Sequence, residues 1–375
     1  MIGRQIESIL LQYLKPNKVV VLLGARRIGK TTLIKKIERT FERNTLYLNA
    51  EDTLSKEILE TKSISSYKRN FEGIDLLIID EAQVIPEIGK ILKLIVDELE
   101  GIKVLATGSS AFDLMNRFGE PLTGRSFTFH LYPFSQSELK EIENPIEMKQ
   151  NLADKLVFGM YPELLEYKTA NEKKTYLNNL VNTYLLKDIL ALEGLRGSSK
   201  IMDLLKLLAW QTGMEVSPHE LGKNLNMSKN TVDKYLDLLQ KVFVIFELKA
   251  FSKNLRKEVS KNRKWYFVDT GVRNAIISDF SPVETRKDVG QLWENFIISE
   301  RLKKHNNQLS GTHLHFWRTY DQQEIDLVEE TDGNLNGFEI KWQKTKGKIP
   351  IAWKNTYPEA GFSILTKSDY PENIE

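Results

Sequence analysis

Lys18–Ile37 reads KVVVLLGARRIGKTTLIKKI. A β-branched apolar run, Val19–Leu23, ends at a glycine, and a polar loop follows. Beyond the loop, Leu33, Ile34, Ile37 and Phe41 recur at helical spacing. The loop itself, Gly24-Ala25-Arg26-Arg27-Ile28-Gly29-Lys30-Thr31, fits G-x-x-x-x-G-K-[ST] at every defined position. A turn from a buried strand into a helix leaves backbone N–H groups without intrahelical partners, and with the helix dipole they attract phosphate. The pattern therefore predicts a nucleotide site over Gly24–Thr31 and Thr32. Lys30 would reach the β- and γ-phosphates and the Thr31 hydroxyl would ligate Mg²⁺, so the expected ligand is ATP with Mg²⁺.

A second strand pattern, IDLLIIDEAQ, ends in Asp80-Glu81 about 50 residues further on. An acid at the carboxyl end of a parallel strand beside such a loop suits Mg²⁺, which assigns Asp80 to the metal. Glu81 is then placed to polarise the attacking water. The next strand, KVLATGSS, ends in Thr107, Ser109 and Ser110, near where a γ-phosphate would lie. This alternation of strands and helices predicts an α/β domain with a parallel sheet covered on both faces.

GARRIGKTTL, LLIIDEAQ, ATGSSAFDL and LTGRSFTFHLYPFSQSEL closely resemble an AAA+ ATPase group of archaea and bacteria. The resemblance runs over essentially the whole chain, most firmly over residues 15–140. It implies a C-terminal region related to PD-(D/E)XK nucleases. It also implies Ser109 or Ser110 as a γ-phosphate sensor and Arg125 as the arginine that reads nucleotide state, with Arg117 the competitor. Residue types alone assign none of these. AAA+ resemblance further implies an assembly of identical copies, whose number the sequence does not fix.

The totals set bounds. A chain of 375 residues holds more than one domain. No cysteine is present, which removes disulfides, thiol catalysis and thiolate zinc sites, and suits a reducing cytoplasm. The longest apolar runs are strand-length and no signal peptide is visible, so no membrane role is expected. A net charge of +2 means that any nucleic-acid contact has to come from local basic patches.

One such patch follows a helical, charge-mixed connector. Ser217-Pro-His-Glu220 starts a helix, Asn226-Met227 breaks it, and Ser228 caps a second with Val232, Tyr235, Leu236 and Leu239 on one face. With the strand expected at Val242–Leu248, this reads as a winged helix-turn-helix. The outer face offers Lys229, Asn230, Thr231 and Lys234 to DNA. Between Lys249 and Lys264 lie seven basic residues, Lys253, Arg256 and Lys257 among them, against the single acid Glu258.

In the last segment an amphipathic helix over about Asp288–Lys304 carries Glu294. Strands follow with Asp326 and with Glu339-Ile340-Lys341. Alternation puts Glu339 and Lys341 on one face. Helix with Glu, strand, strand with Asp and strand with Glu-x-Lys is the order of the PD-(D/E)XK core. Asp326 and Glu339 supply the hard oxygen ligands that Mg²⁺ or Mn²⁺ takes, with the Ile340 carbonyl a further ligand. Lys341 would position a water and offset developing charge, and Glu294 would add a ligand from the helix. His313 and His315 lack partners for a zinc site.

The expected organisation is an ATPase domain at 1–145, a connector at 146–197, a winged helix at 198–265 and a nuclease-like α/β domain at 266–375. The expected activity is ATP hydrolysis coupled to DNA binding and metal-dependent phosphodiester cleavage. An ATP-switched DNA-binding regulator, or a signalling ATPase with a silent nuclease fold, is the alternative.

Overall fold

In the first strand, Val20 and Leu22 face one side while Val19, Val21 and Leu23 face the other, and each set enters a different hydrophobic core. This is how an all-apolar strand becomes the middle of a two-faced sheet. The structure is a computed structural model, and it describes residues 2–109, 122–185, 198–252, 263–343 and 348–372. A short helix, α1 (Ile6–Tyr13), precedes β1 (Lys18–Leu23) and α2 (Lys30–Thr40). The remaining strands of the first sheet are β2 (Thr45–Asn49), β3 (Leu76–Asp80), β4 (Lys103–Gly108) and β5 (Ser126–His130). All pairings are parallel, in the order β2-β3-β4-β1-β5. Helix α2 covers one face through Leu33, Ile34 and Ile37, and α3 (Ile88–Glu98) covers the other through Ile91, Leu92 and Ile95. The carboxyl ends of β1 and β3 therefore open on the same edge, with β4 between them.

After the short helices α4 (Gln136–Leu139) and α5 (Leu152–Phe158) come α6 (Ser198–Trp210), the strand β6 (Glu215–Val216), α7 (Pro218–Leu225) and α8 (Lys229–Lys241). The Ser217 and Ser228 hydroxyls accept hydrogen bonds from Glu220 N and Thr231 N, so both caps form. Asn226 takes the left-handed conformation between the two helices, at φ 51°. The next strand, β7 (Ile245–Ala250), starts later than the sequence pattern suggests, because Phe243 turns at φ 61°.

A second sheet orders its seven strands β12-β11-β10-β9-β7-β8-β6. Its other members are β8 (Arg263–Phe267), β9 (His313–Arg318), β10 (Glu324–Thr331), β11 (Asn334–Lys341) and β12 (Gly361–Thr366). The join is parallel pairing of β7 with β9 at Lys249↔His315 and Ala250↔Phe316. Between β8 and β9 run α9 (Thr270–Ile276) and the long α10 (Val289–Gln308), and α11 (Ile351–Thr356) lies between β11 and β12.

The four-way division of the chain meets this architecture imperfectly. A boundary after residue 265 would cut β8 in two. One after 145 would sever Pro145 from a helix that Asn144 already caps. One hydrophobic core runs from Ile6 to Tyr370, through the first sheet, the connector and the second sheet. Among the described residues no helix is long and apolar enough to cross a membrane.

Candidate functional site

The nucleotide loop is shaped by two local constraints. At Gly24 a Cβ would stand 2.3 Å from the Leu131 carbonyl oxygen, so only glycine fits the turn. Gly29, at φ 90°, ends the loop and starts α2. The Lys30 ammonium folds against the loop, donating to the carbonyls of Gly24 at 2.8 Å and Ala25 at 2.9 Å. Thr31 Oγ1 donates to Asp80 Oδ2 at 2.7 Å, which brings together the hydroxyl and carboxylate that suit Mg²⁺. Asp80 is buried and well supported. It accepts from Tyr47 Oη at 3.0 Å and from the Thr107 hydroxyl, and the Glu81 N–H lies 3.2 Å away. Burial and then Asp80 push the Tyr47 phenol far above its ordinary range, so it remains a donor.

Glu81 sits on a left-handed backbone turn at φ 52°. Gln83 Nε2 holds its carboxylate and also donates to Ser109 Oγ at 3.1 Å. Tyr47 belongs to no motif, and Gln83 closes the LLIIDEAQ stretch without a role that residue type alone assigns; the contacts with Asp80, Glu81 and Ser109 reveal both. A Gln83→Ala protein should bind ATP normally and hydrolyse it about tenfold more slowly, the cost of one lost orienting hydrogen bond. Steady-state phosphate release beside equilibrium nucleotide binding checks this.

A cavity of about 580 Å³ adjoins the loop, large enough for a nucleotide. Lys30, Thr31 and Glu81 line it, with Ile2, Pro162 and Leu165 as apolar lining. Arg4 ties this region together, donating to the Ile28 carbonyl at 3.0 Å and pairing with Glu138 at 3.0 Å.

Arg125 has to be corrected as a contact of its own chain's nucleotide. It directly precedes β5, whose Ser126 pairs with Val19 and whose His130 pairs with Leu23. Arg125 thus lies at the opposite edge of the sheet, a strand length of roughly 17 Å away. There it binds Asp97 at 2.6 Å. Ser110 and Arg117 lie outside the described residues.

The C-terminal acids gather at a second site. Asp326 accepts from the Ile340 N–H at 2.8 Å, so β11 fixes its carboxylate. Lys341 Nζ stands 2.7 Å from Glu339 Oε1 and 3.5 Å from Asp326 Oδ2. Burial works against the Lys341 charge, but Asp326 and Glu339 outweigh it and raise its pKa. Burial followed by Asp326 holds both Glu294 and Glu339 above the usual carboxylate range.

Four residues join that the motif did not include: Tyr266, Lys264, Glu324 and Gly213. Tyr266 Oη donates to Glu294 Oε1 at 2.6 Å. Lys264 contacts Glu324 Oε1 and lies 3.9 Å from Glu294 Oε1. Gly213, at φ 77°, makes room, since a Cβ there would come within 2.8 Å of Glu294 Oε1. Hard oxygens and excess negative charge suit a divalent cation. Among the described residues, however, no three acidic or histidine side chains are grouped to hold a metal by themselves. Any ion held here would therefore take at most two carboxylates, with backbone oxygen and water to complete its shell.

On α8, Lys229, Asn230 and Lys234 are exposed on one side. Lys229 pairs loosely with Asp233 at 4.0 Å. Lys253, Arg256 and Lys257 lie outside the described residues. Trp293 and Trp317 are buried in hydrophobic clusters.

Residues 16–140 match the family described as AAA domain. Residues 149–283 and 289–366 each match a domain of unknown function, DUF8612 and DUF4143 respectively. An uncharacterized protein of Mycobacterium tuberculosis is 27% identical over 332 residues, covering 87% of this chain and 71% of its own. One from Haemophilus influenzae is 25% identical, covering 85% and 81%. One from Methanocaldococcus jannaschii is 26% identical, covering 80% and 69%. Among solved structures, the Thermotoga maritima RuvB Holliday junction branch migration motor is 18% identical, at a TM-score of 0.33 over 65% of this chain and 89% of that one. Drosophila ORC bound to AT-rich DNA and Cdc6 is 12% identical, at 0.27 over 73% and 90%. The domain match, the loop and the parallel sheet agree: the N-terminal third is an AAA+ ATPase domain that binds nucleotide.

Proposed function

We propose that this chain is an ATP-driven nucleic-acid enzyme whose C-terminal carboxylates cut a phosphodiester bond in DNA. One observation carries the reading. Glu294 from α10, Asp326 from β10 and Glu339 and Lys341 from β11 converge at one place, on a helix-strand-strand-strand order similar to the PD-(D/E)XK core. A bound Mg²⁺ or Mn²⁺ would be held by Asp326 and Glu339 and would polarise the scissile phosphate. Lys341 would orient a water and offset charge on the phosphate oxygens. Glu294, kept in place by Tyr266, would face the same centre.

At the other site, Lys30 would bind the β- and γ-phosphates, Thr31 and Asp80 would hold Mg²⁺, and Glu81 would direct the water. Helix α10 links the two. Its Lys303 donates to the Phe134 carbonyl at 3.0 Å, and Phe134 lines the nucleotide cavity. Its Glu300 accepts from Gln136 N at 2.6 Å, while Glu294 sits nearly two turns earlier on the same helix. DNA would lie on the exposed side of α8 and on the basic hairpin of a winged helix. Arg125, turned away from its own nucleotide, would serve that of a neighbouring copy.

The test is cleavage of linear, circular and single-stranded DNA with Mg²⁺ or Mn²⁺, with and without ATP. Cutting by wild type that disappears in Lys341→Ala supports the nuclease, and Lys30→Ala shows whether ATP gates it. A second reading, an ATP-switched DNA-binding regulator, is favoured by the ion pairing of Lys341 to both acids and by the absence of a three-acid group among the described residues. It takes the lead if wild type hydrolyses ATP and binds DNA but cuts nothing.

A further inference from the structure

Lysine is almost never fully buried unless it is paired. Lys264 is only 3% exposed, its ammonium 5.3 Å from the Phe316 ring centre. It enters the acid cluster from β8, a strand outside the helix-strand-strand-strand core, and its register is fixed on both sides by Leu248 and Glu215. Its ammonium contacts Glu324 and approaches Glu294, whereas Lys341 serves Asp326 and Glu339. The cluster is thus divided into two halves, each with two carboxylates and one ammonium. Arg318 comes only to 4.0 Å of Glu324 and is engaged by Glu215 at 2.7 Å.

We infer that Lys264 is a built-in counter-cation that restricts this centre to a single divalent ion, its ammonium standing between Glu294 and Glu324 where a second ion would otherwise bind. The inference rests on Asp326 and Glu339 being the ligands of the first. With all four carboxylates ionised, as a bound cation would favour, Glu294, Glu324, Asp326 and Glu339 would set four negative charges against the two positive charges of Lys264 and Lys341, a deficit that one divalent ion fills. Two-ion phosphodiesterases hold their metals about 4 Å apart, each on carboxylate oxygens. Here the second pair of carboxylates already has its cation, and a divalent ion beside a buried ammonium would meet strong repulsion.

The experiment counts Mn²⁺ bound to the nucleotide-free full chain, from the free-ion electron paramagnetic resonance signal. An Asp326→Asn protein sets the background from all other sites. Wild type should exceed that background by one ion, Lys264→Gln by two, and Lys264→Gln/Glu324→Gln again by one. Two ions in wild type, or an unchanged count in folded Lys264→Gln, overturns the role of Lys264 while leaving the metal site standing. If wild type and Asp326→Asn bind equally, the metal site itself falls and Lys264 with it. Should Lys264→Gln fail to fold by circular dichroism, Lys264→Met takes its place, with the same rise to two ions expected and an unchanged count again overturning the role of Lys264.

Discussion

Lys30→Ala should lose ATP hydrolysis altogether and bind ATP about 100-fold more weakly. The fall in affinity corresponds to roughly 3 kcal/mol, the worth of one or two hydrogen bonds to a charged group. The ammonium is already positioned within reach of the loop, bonded to Gly24 and Ala25, and bound phosphate oxygens would replace those carbonyls as acceptors. Glu81→Gln should behave differently. It keeps Lys30, Thr31 and Asp80, so affinity should change little, while turnover falls by about 10² to 10⁴ as the group acting on water is lost. Fluorescent-nucleotide titration and single-turnover phosphate release, run on both proteins, separate the two roles. Equal loss of affinity in both would mean that Glu81 supports the loop rather than the chemistry.

The ATPase domain was readable because its chemistry is local. Gly24 to Thr31 is one continuous loop, and Asp80 ends a strand whose apolar run announces itself. The support around Asp80 was less visible: Tyr47 comes from β2 and Thr107 from β4, brought together only by the order of strands in the sheet. Arg125 shows the converse. The family resemblance suggested an arginine that reads nucleotide state but not which copy's, and parallel pairing of β1 and β5 sets it far from the loop of its own chain.

At the second site the strand acids could be paired from a period of two, since Asp326 and Glu339-x-Lys341 lie on adjacent strands with a short turn between them. Lys264 and Tyr266 could not. Sequence reading placed Lys264 among seven basic residues suited to a phosphate backbone, whereas the parallel β7–β9 pairing turns β8 inward beside α10. A pairing between strands more than 60 residues apart leaves no mark in local periodicity.

Asp288→Ala should destabilise the fold by about 3–5 kcal/mol, the usual penalty for stranding a buried charge. Asp288 receives Arg273 Nη1 at 2.5 Å and Arg286 Nε at 2.8 Å, and both guanidinium groups are almost completely buried. Arg273 also donates to the Ala209 carbonyl, and Asn274 donates to the carbonyls of Leu156 and Val157. One network therefore fastens α5, α6 and α9 at the entry to α10. Burial opposes the Asp288 charge, but Arg286 and Arg273 outweigh it and hold the carboxyl at about 2. A lowered folded-state pKa gives stability that is complete above the unfolded value near 4 and lost as pH falls towards 2. Urea titration at neutral pH should show the deficit, and it should shrink between about pH 4 and 2, where wild type loses the same interaction. Because Asp288 immediately precedes α10, the variant should also loosen the helix that carries Glu294, Glu300 and Lys303. Amide exchange along α10 measures that directly. Faster exchange from Val289 through Lys303 would mark the helix as one mechanical unit between the two sites, whereas fraying confined to its first turn would mean the clamp at Phe134 and Gln136 holds it independently.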